Sequence, residues 1–119
     1  MNHNQDFIRL CENALGSVRE VSWEDAAQWL QGESATLLID VREDHEWEQG
    51  HIPGALHIGR GILERDIAKH CPDKSACLLL YCGGGYRSAL AAKSLQAMGY
   101  NNVYSLQGGF RAWKQSQCS

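Results

Sequence analysis

Leu78-Leu79-Leu80-Tyr81-Cys82-Gly83-Gly84-Gly85-Tyr86-Arg87-Ser88 is a short apolar run that delivers a cysteine into three consecutive glycines, with an arginine just beyond. A run of this length, leucine-rich, ending in an aromatic residue and bounded by glycine, reads as a buried strand. The alanine-rich segment from Ser88 to Met98 reads as a helix, with Ala89, Leu90, Ala92, Leu95 and Met98 on its buried side and Gly99 as its stop. Between the two, glycines that tolerate positive φ let the loop turn tightly with its N–H groups inward. The helix start adds unpaired amides and the positive end of its dipole to the same place. A cysteine at such a mouth is placed to act as a stabilised thiolate.

The rest of the chain supports an α/β reading. Thr36-Leu37-Leu38-Ile39-Asp40-Val41 is a second β-leaning run, with Asp40 at the end where open α/β sheets present their ligand-facing loops. Arg19-Glu20-Val21, Leu56-His57-Ile58 and Asn102 to Leu106 are further short strands. Ser22, with Asp25 three residues on, caps a helix that Gly32 ends, and Gly61 to His70 is another helix with Pro72 just beyond. Pro53-Gly54 occupies the two central positions of a type II turn. Arg42 to Gly50 makes a short helical turn around Trp47, its acidic side chains from Glu43 to Glu48 forming a solvated face. Gly108-Gly109 is a turn, followed by a last helical turn from Phe110 to Trp113. At the other end, Phe7, Ile8, Leu10, Cys11, Ala14 and Leu15 share one face of an amphipathic helix over Asn4 to Val18, which packs on the domain or on a second subunit. Alternating strands and helices predict a small, mostly parallel central sheet with helices on both faces.

Composition narrows the function classes. The chain has 119 residues, enough for one domain with its own core. A net charge of −3 and a pI near 5.9 give no footprint for nucleic acid or an anionic membrane. The longest apolar run, Cys77 to Cys82, is too short to cross a bilayer, and no basic-then-apolar leader opens the chain. A soluble, cytoplasmic protein is expected. The five cysteines, Cys11, Cys71, Cys77, Cys82 and Cys118, are odd in number and irregularly spaced, which fits free thiols in a reducing compartment. No C-x₂-C pair suggests zinc, and His45, His51 and His57 recur at a spacing of six that suits neither a helix face nor a metal-binding loop. No metal is expected. Trp23, Trp29, Trp47 and Trp113 read as packing residues, Cys118 as part of a frayed tail.

Two reactions suit a thiolate in a ring of amides. It can attack phosphorus while the loop cradles phosphate, or attack a sulfane sulfur while the loop cradles a persulfide. Four residues separate Cys82 from Arg87. Cysteine-dependent phosphatases use C-x₅-R, because a ring around a tetrahedral phosphate needs the extra residue; the narrower cup here suits one extra sulfur atom.

Those residues also carry a family resemblance. Tyr81-Cys82-Gly83-Gly84-Gly85-Tyr86-Arg87-Ser88 is similar to the Y-C-x-x-G-x-R-S loop of single-domain rhodaneses, which are thiosulfate sulfurtransferase-type modules. Asp40-Val41-Arg42, Glu46-Trp47 and Gly50-His51-Ile52-Pro53-Gly54-Ala55 resemble that family's upstream block, and Gly108-Gly109-Phe110 with Trp113 its C-terminal ending. Three blocks in order are far more specific than one motif. The resemblance implies a rhodanese-like domain over 18–117, with the N-terminal amphipathic helix, 1–17, outside it. It implies a ping-pong sulfurtransferase in which Cys82 is the catalytic nucleophile. Gly83, Gly84, Gly85, Tyr86 and Arg87 would bind substrate and persulfide, and Asp40, Arg42 and Ser88 would support the loop, with an Asp40–Arg87 contact expected.

The resemblance implies no cofactor, and partners limited to a small-molecule sulfur donor and a thiol, cyanide or protein acceptor. One departure is notable. Many thiosulfate-using members carry a basic residue directly after the cysteine, where this chain has Gly83. Charge for an anionic donor is then expected from Arg87, Arg42 or Arg60, opposed by Glu43 to Glu48. The competing readings are a non-catalytic, protein-binding use of the same fold and a cysteine-dependent phosphatase or arsenate reductase.

Overall fold

The computed structural model describes residues 4–32 and 35–117. Its elements run α1 (Gln5–Leu15), β1 (Arg19–Val21), α2 (Trp23–Gln31), β2 (Thr36–Asp40), α3 (Asp44–Glu48), β3 (Leu56–His57), α4 (Arg60–His70), β4 (Cys77–Tyr81), α5 (Tyr86–Ala97), β5 (Val103–Leu106) and α6 (Gly109–Ser116). The five strands form one sheet in the order β1-β5-β4-β2-β3. Every pairing is parallel, so the expected mostly parallel sheet is parallel throughout.

β4 lies at the centre of this sheet, and its composition says why. Leu78, Leu79, Leu80 and Tyr81 are all fully buried, as a strand covered on both faces requires. Side chains alternate across a strand, so Leu78, Leu80 and the following Cys82 join one core with Leu63, Ile67, Ala92 and Leu95 of α4 and α5. Leu79 and Tyr81 join the other, with Ala26 of α2, Leu106, and the partly buried Phe110 and Trp113 of α6. Helices therefore cover both faces.

The local signals behave as their chemistry requires. The Ser22 hydroxyl accepts the Asp25 N–H at 3.2 Å and caps α2. Gly54 sits at φ 86°, and the Ala55 N–H donates to the Ile52 carbonyl at 3.1 Å, closing the type II turn. Two helices exceed the sequence reading. α5 begins two residues early, at Tyr86, because Gly85 at φ 111° turns the chain directly into helix. α6 runs to Ser116 rather than stopping at Trp113. α1 is shorter than its periodic pattern, ending at Leu15 before the Gly16 cap. It packs on α5 of its own chain, burying Cys11 and Ala14 against Ala89 and Leu90. Cys118 lies outside the described residues, and among those described no helix is long and apolar enough to cross a membrane.

Candidate active site

Parallel pairing brings the carboxyl ends of the strands to one edge of the sheet. Asp40 at the end of β2 stands in register with Tyr81 at the end of β4, and the Val41 N–H donates to the Tyr81 carbonyl at 3.0 Å. Cys82 follows immediately, at 1% exposure, on the floor of a cavity of about 1000 Å³. Its Sγ accepts the N–H of Gly85 at 3.1 Å and of Ser88 at 3.3 Å. The Ser88 hydroxyl lies 3.5 Å from the same sulfur, 3.3 Å from the Gly85 carbonyl and 2.7 Å from the hydroxyl of Ser105 on β5. Ser88 and Ser105 are both fully buried. A hydroxyl with one proton and two lone pairs can accept from a thiol, or turn and donate to a thiolate while Ser105 donates to it. Ser88 therefore sits where it can stabilise either form of the sulfur.

The loop is held from outside by α6. The Phe110 N–H donates to the Cys82 carbonyl at 2.7 Å, and the Arg111 N–H to the Gly83 carbonyl at 3.1 Å. In a trans peptide the next N–H points opposite to the carbonyl. These two bonds therefore turn the N–H groups of Gly83 and Gly84 away from α6. The described residues supply no hydrogen-bond acceptor for either group or for the Arg87 N–H. They remain available to an anionic guest. The close approach of α6 requires glycine at position 109, at φ 54°, where a Cβ would overlap the Cys82 carbonyl oxygen. Of the three loop glycines only Gly85 uses the positive φ that glycine tolerates, and it alone makes the tight turn into α5. Gly83 is instead crowded by charge, since a Cβ there would stand 3.2 Å from Arg87 Nη2.

The charge network differs from the one expected. Asp40 does not pair with Arg87. It holds Arg42, taking its Nε at 3.1 Å and its Nη2 at 2.8 Å, and Arg42 Nη2 also donates to the Gly50 carbonyl at 2.6 Å. The pair is buried, with Asp40 fully enclosed and Arg42 5% exposed, because the two residues sit two apart at the end of a central strand. Burial and the neighbouring Asp40 carboxylate push the Tyr81 hydroxyl well up. Arg42 reaches the loop only indirectly: its guanidinium lies 4.2 Å over the ring of Phe110, whose N–H holds Cys82.

Arg87 pairs instead with Glu46 of α3, through two bonds of 2.7 and 3.0 Å. Glu46 is thus part of the site and not of a solvated acidic face. The short α3 turn brings it over the loop, and the hydrogen bond from Arg87, opposed by some burial, lowers its carboxyl to about 2.

The cavity is lined by Cys82, Gly83, Gly84, Tyr86 and Arg87 of the loop, by Glu43, His45 and Glu46, by Arg111, and by Asn4 and Phe7 from the N-terminal segment. Phe7 meets Tyr86 edge to face, at 6.2 Å between ring centroids. Of the cations expected to serve an anionic donor, Arg87 faces the cavity bound to Glu46, Arg42 is buried behind Phe110, and Arg60 is not among the lining residues. Sequence reasoning missed Ser105, Arg111 and Phe7. For Arg111 a signal existed: it follows the Gly-Gly-Phe that resembles the family's ending. Ser105 and Phe7 carried none. The two later histidines are packing residues, both stacked on Trp47, at 3.5 Å for His51 and 4.8 Å for His57. Among the described residues no cluster of His, Cys, Asp or Glu could hold a metal ion.

Comparison with known proteins bears on this arrangement. A family model described as "Rhodanese-like domain" matches residues 22–116. "Putative sulfur carrier protein YrkF" of Bacillus subtilis (strain 168) is 32% identical over 102 residues, covering 86% of this chain and 54% of that protein. The chain thus spans about half the length of that curated relative. Among solved structures, RPA3614 from Rhodopseudomonas palustris CGA009, a protein of unknown function described as a possible tyrosine phosphatase, superposes with a TM-score of 0.81. It is 31% identical, with 98% of this chain and 95% of that one covered, so the likeness takes in α1. The human single-domain sulfurtransferase TSTD1 superposes with a TM-score of 0.73 at 26% identity, covering 82% of this chain and 96% of that one.

Proposed function

This chain belongs to the rhodanese-like domain family, and from that membership we propose that it is a sulfurtransferase carrying sulfane sulfur on Cys82. The observation that carries the reading is the sulfur itself: buried at a strand end, it accepts the N–H groups of Gly85 in the loop and Ser88 in α5, with only four residues between Cys82 and Arg87. The Cys82 thiolate attacks the outer sulfur of a donor such as thiosulfate. A new S–S bond forms, the donor's S–S bond breaks, and sulfite leaves with that electron pair. The N–H groups of Gly83, Gly84 and Arg87, which meet no acceptor among the described residues, are where the terminal sulfur of the Cys82 persulfide would be held. A thiolate or cyanide then attacks that sulfur, and the Cys82–S bond breaks to return the thiolate. The cycle has no net redox change and calls for no cofactor. A reducing compartment such as the cytoplasm keeps the nucleophile free.

The test is steady-state kinetics with thiosulfate or an organic persulfide as donor and cyanide or a dithiol as acceptor. Parallel double-reciprocal lines are expected for wild type, with loss of all turnover in Cys82→Ser. Turnover of an aryl phosphate or arsenate without any sulfur transfer would overturn the reading. So would a protein that binds partners equally well as Cys82→Ser while transferring nothing.

A further inference from the structure

One cation at the cavity mouth has no assignment in the reading above. We propose that Arg111 receives the anionic group of the sulfur donor, an oxyanion of sulfur or a carboxylate, as it approaches Cys82. The proposal rests on the sulfurtransferase reading and adds to it the residue that selects for charge.

Elimination and position carry the inference. Arg87 already donates from both terminal nitrogens, Nη1 and Nη2, to Glu46, leaving that pair without net charge toward the cavity. Arg42 is committed to Asp40 and Gly50 beneath the surface. Arg111 is exposed, lines the cavity with Cys82, and has no hydrogen bond or ion pair to its guanidinium among the described residues. Its stem is registered to the loop, since its own N–H donates to the Gly83 carbonyl at 3.1 Å. Its Nη1 stands 3.7 Å from the point where a Cβ of Gly84 would be. Arg111 thus brings a guanidinium to the rim of the loop from α6, although Gly83 and Gly84 themselves provide no charge. Glycine at 84 leaves that approach open.

The other charges on the cavity wall set the range of the effect. Glu43 and Glu46 balance Arg87 and Arg111, so the cavity does not draw anions from a distance. The contribution of Arg111 is a contact one, made when an anionic group already lies against the loop. A planar guanidinium offers paired donors to a carboxylate or sulfur oxyanion.

The test compares alkylation of Cys82 by iodoacetate, an anion, and by iodoacetamide, its neutral isostere, quantified on the peptide containing Cys82. The ratio of the two rates is expected to fall about three- to tenfold in Arg111→Gln and further in Arg111→Glu, with the difference shrinking at high salt. A ratio unchanged in both variants overturns the proposal, as does a wild-type Cys82 that neither reagent reaches. Because no sulfur is transferred in this assay, its failure is distinct from a failure of the sulfurtransferase reading, which shows only in donor incubations.

Discussion

Cys82 is the residue on which the site converges, and its immediate neighbours make separable contributions. Among the described residues the Ser88 hydroxyl is the one side-chain group within hydrogen-bonding distance of its sulfur. Ser88→Ala keeps the backbone N–H donor and removes the hydroxyl. Sulfur loading of Cys82 by a sulfane donor is expected to slow about tenfold, the value of one hydrogen bond to a charged group. Ser105→Ala removes the partner of Ser88 instead and is expected to cost about 1 kcal/mol in a denaturant melt. Glu46 gives the site its pH signature. Its carboxyl is held at about 2 rather than the ordinary 4.5, chiefly by the hydrogen bond from Arg87. A depressed folded-state value stabilises the fold fully above the ordinary pKa and loses that stabilisation as pH falls through the folded one. Glu46→Gln should therefore cost about 1 kcal/mol near neutrality, and the difference from wild type should vanish as pH is lowered from about 4.5 toward about 2. Urea melts across that range check it; a difference that persists at the acid end would contradict the assignment.

At the scale of elements, the site is a junction of β4, α5, α6 and α3, with α1 forming one wall. The α6 contact is the tightest, since Gly109 admits no side chain against the Cys82 carbonyl. Gly109→Ala is expected to lose about 2 kcal/mol or more and to abolish efficient sulfur loading, because relief requires moving the loop. The α1 contact is looser. Ala14 is 1% exposed against α5, so Ala14→Lys should lift α1 and raise hydrogen exchange along it while the amides of β4 stay protected. Exchange that rises equally in both would contradict our proposed division of the chain into 1–17 and 18–117. These elements were legible in sequence to unequal degrees. The leucine run, the Ser22 cap and the Pro53-Gly54 turn each state their structure locally, through burial pattern or backbone preference. The pairing of Arg87 with Glu46 rather than Asp40 was not legible, because it depends on where the α3 turn lands in space. Arg42 is nearer to Asp40 in sequence and takes it first.

At the scale of the whole molecule, a five-stranded parallel sheet covered on both faces puts a single cysteine loop at the carboxyl edge of its central strand. The apolar runs and their alternation with helical segments were enough to predict that architecture, since a strand hydrophobic at every position has to be buried on both sides. They were not enough to predict that α1 would close over the site, because an amphipathic face does not say what it packs against. Nor did they identify which cavity-lining arginine stays uncommitted among the described residues, since that follows from the neighbours each one meets after folding. What the fold delivers is a sulfur atom fixed by the N–H groups of Gly85 and Ser88, with further loop N–H groups that meet no acceptor among the described residues. The most direct measurement of what that sulfur does is the intact mass of the protein after incubation with thiosulfate, and separately with an organic persulfide, followed by removal of the donor. One added sulfur atom per chain is expected, mapped to the Cys82 peptide, lost on addition of cyanide or a thiol, and absent in Cys82→Ser. A wild-type protein that gains no sulfur from any such donor would contradict it.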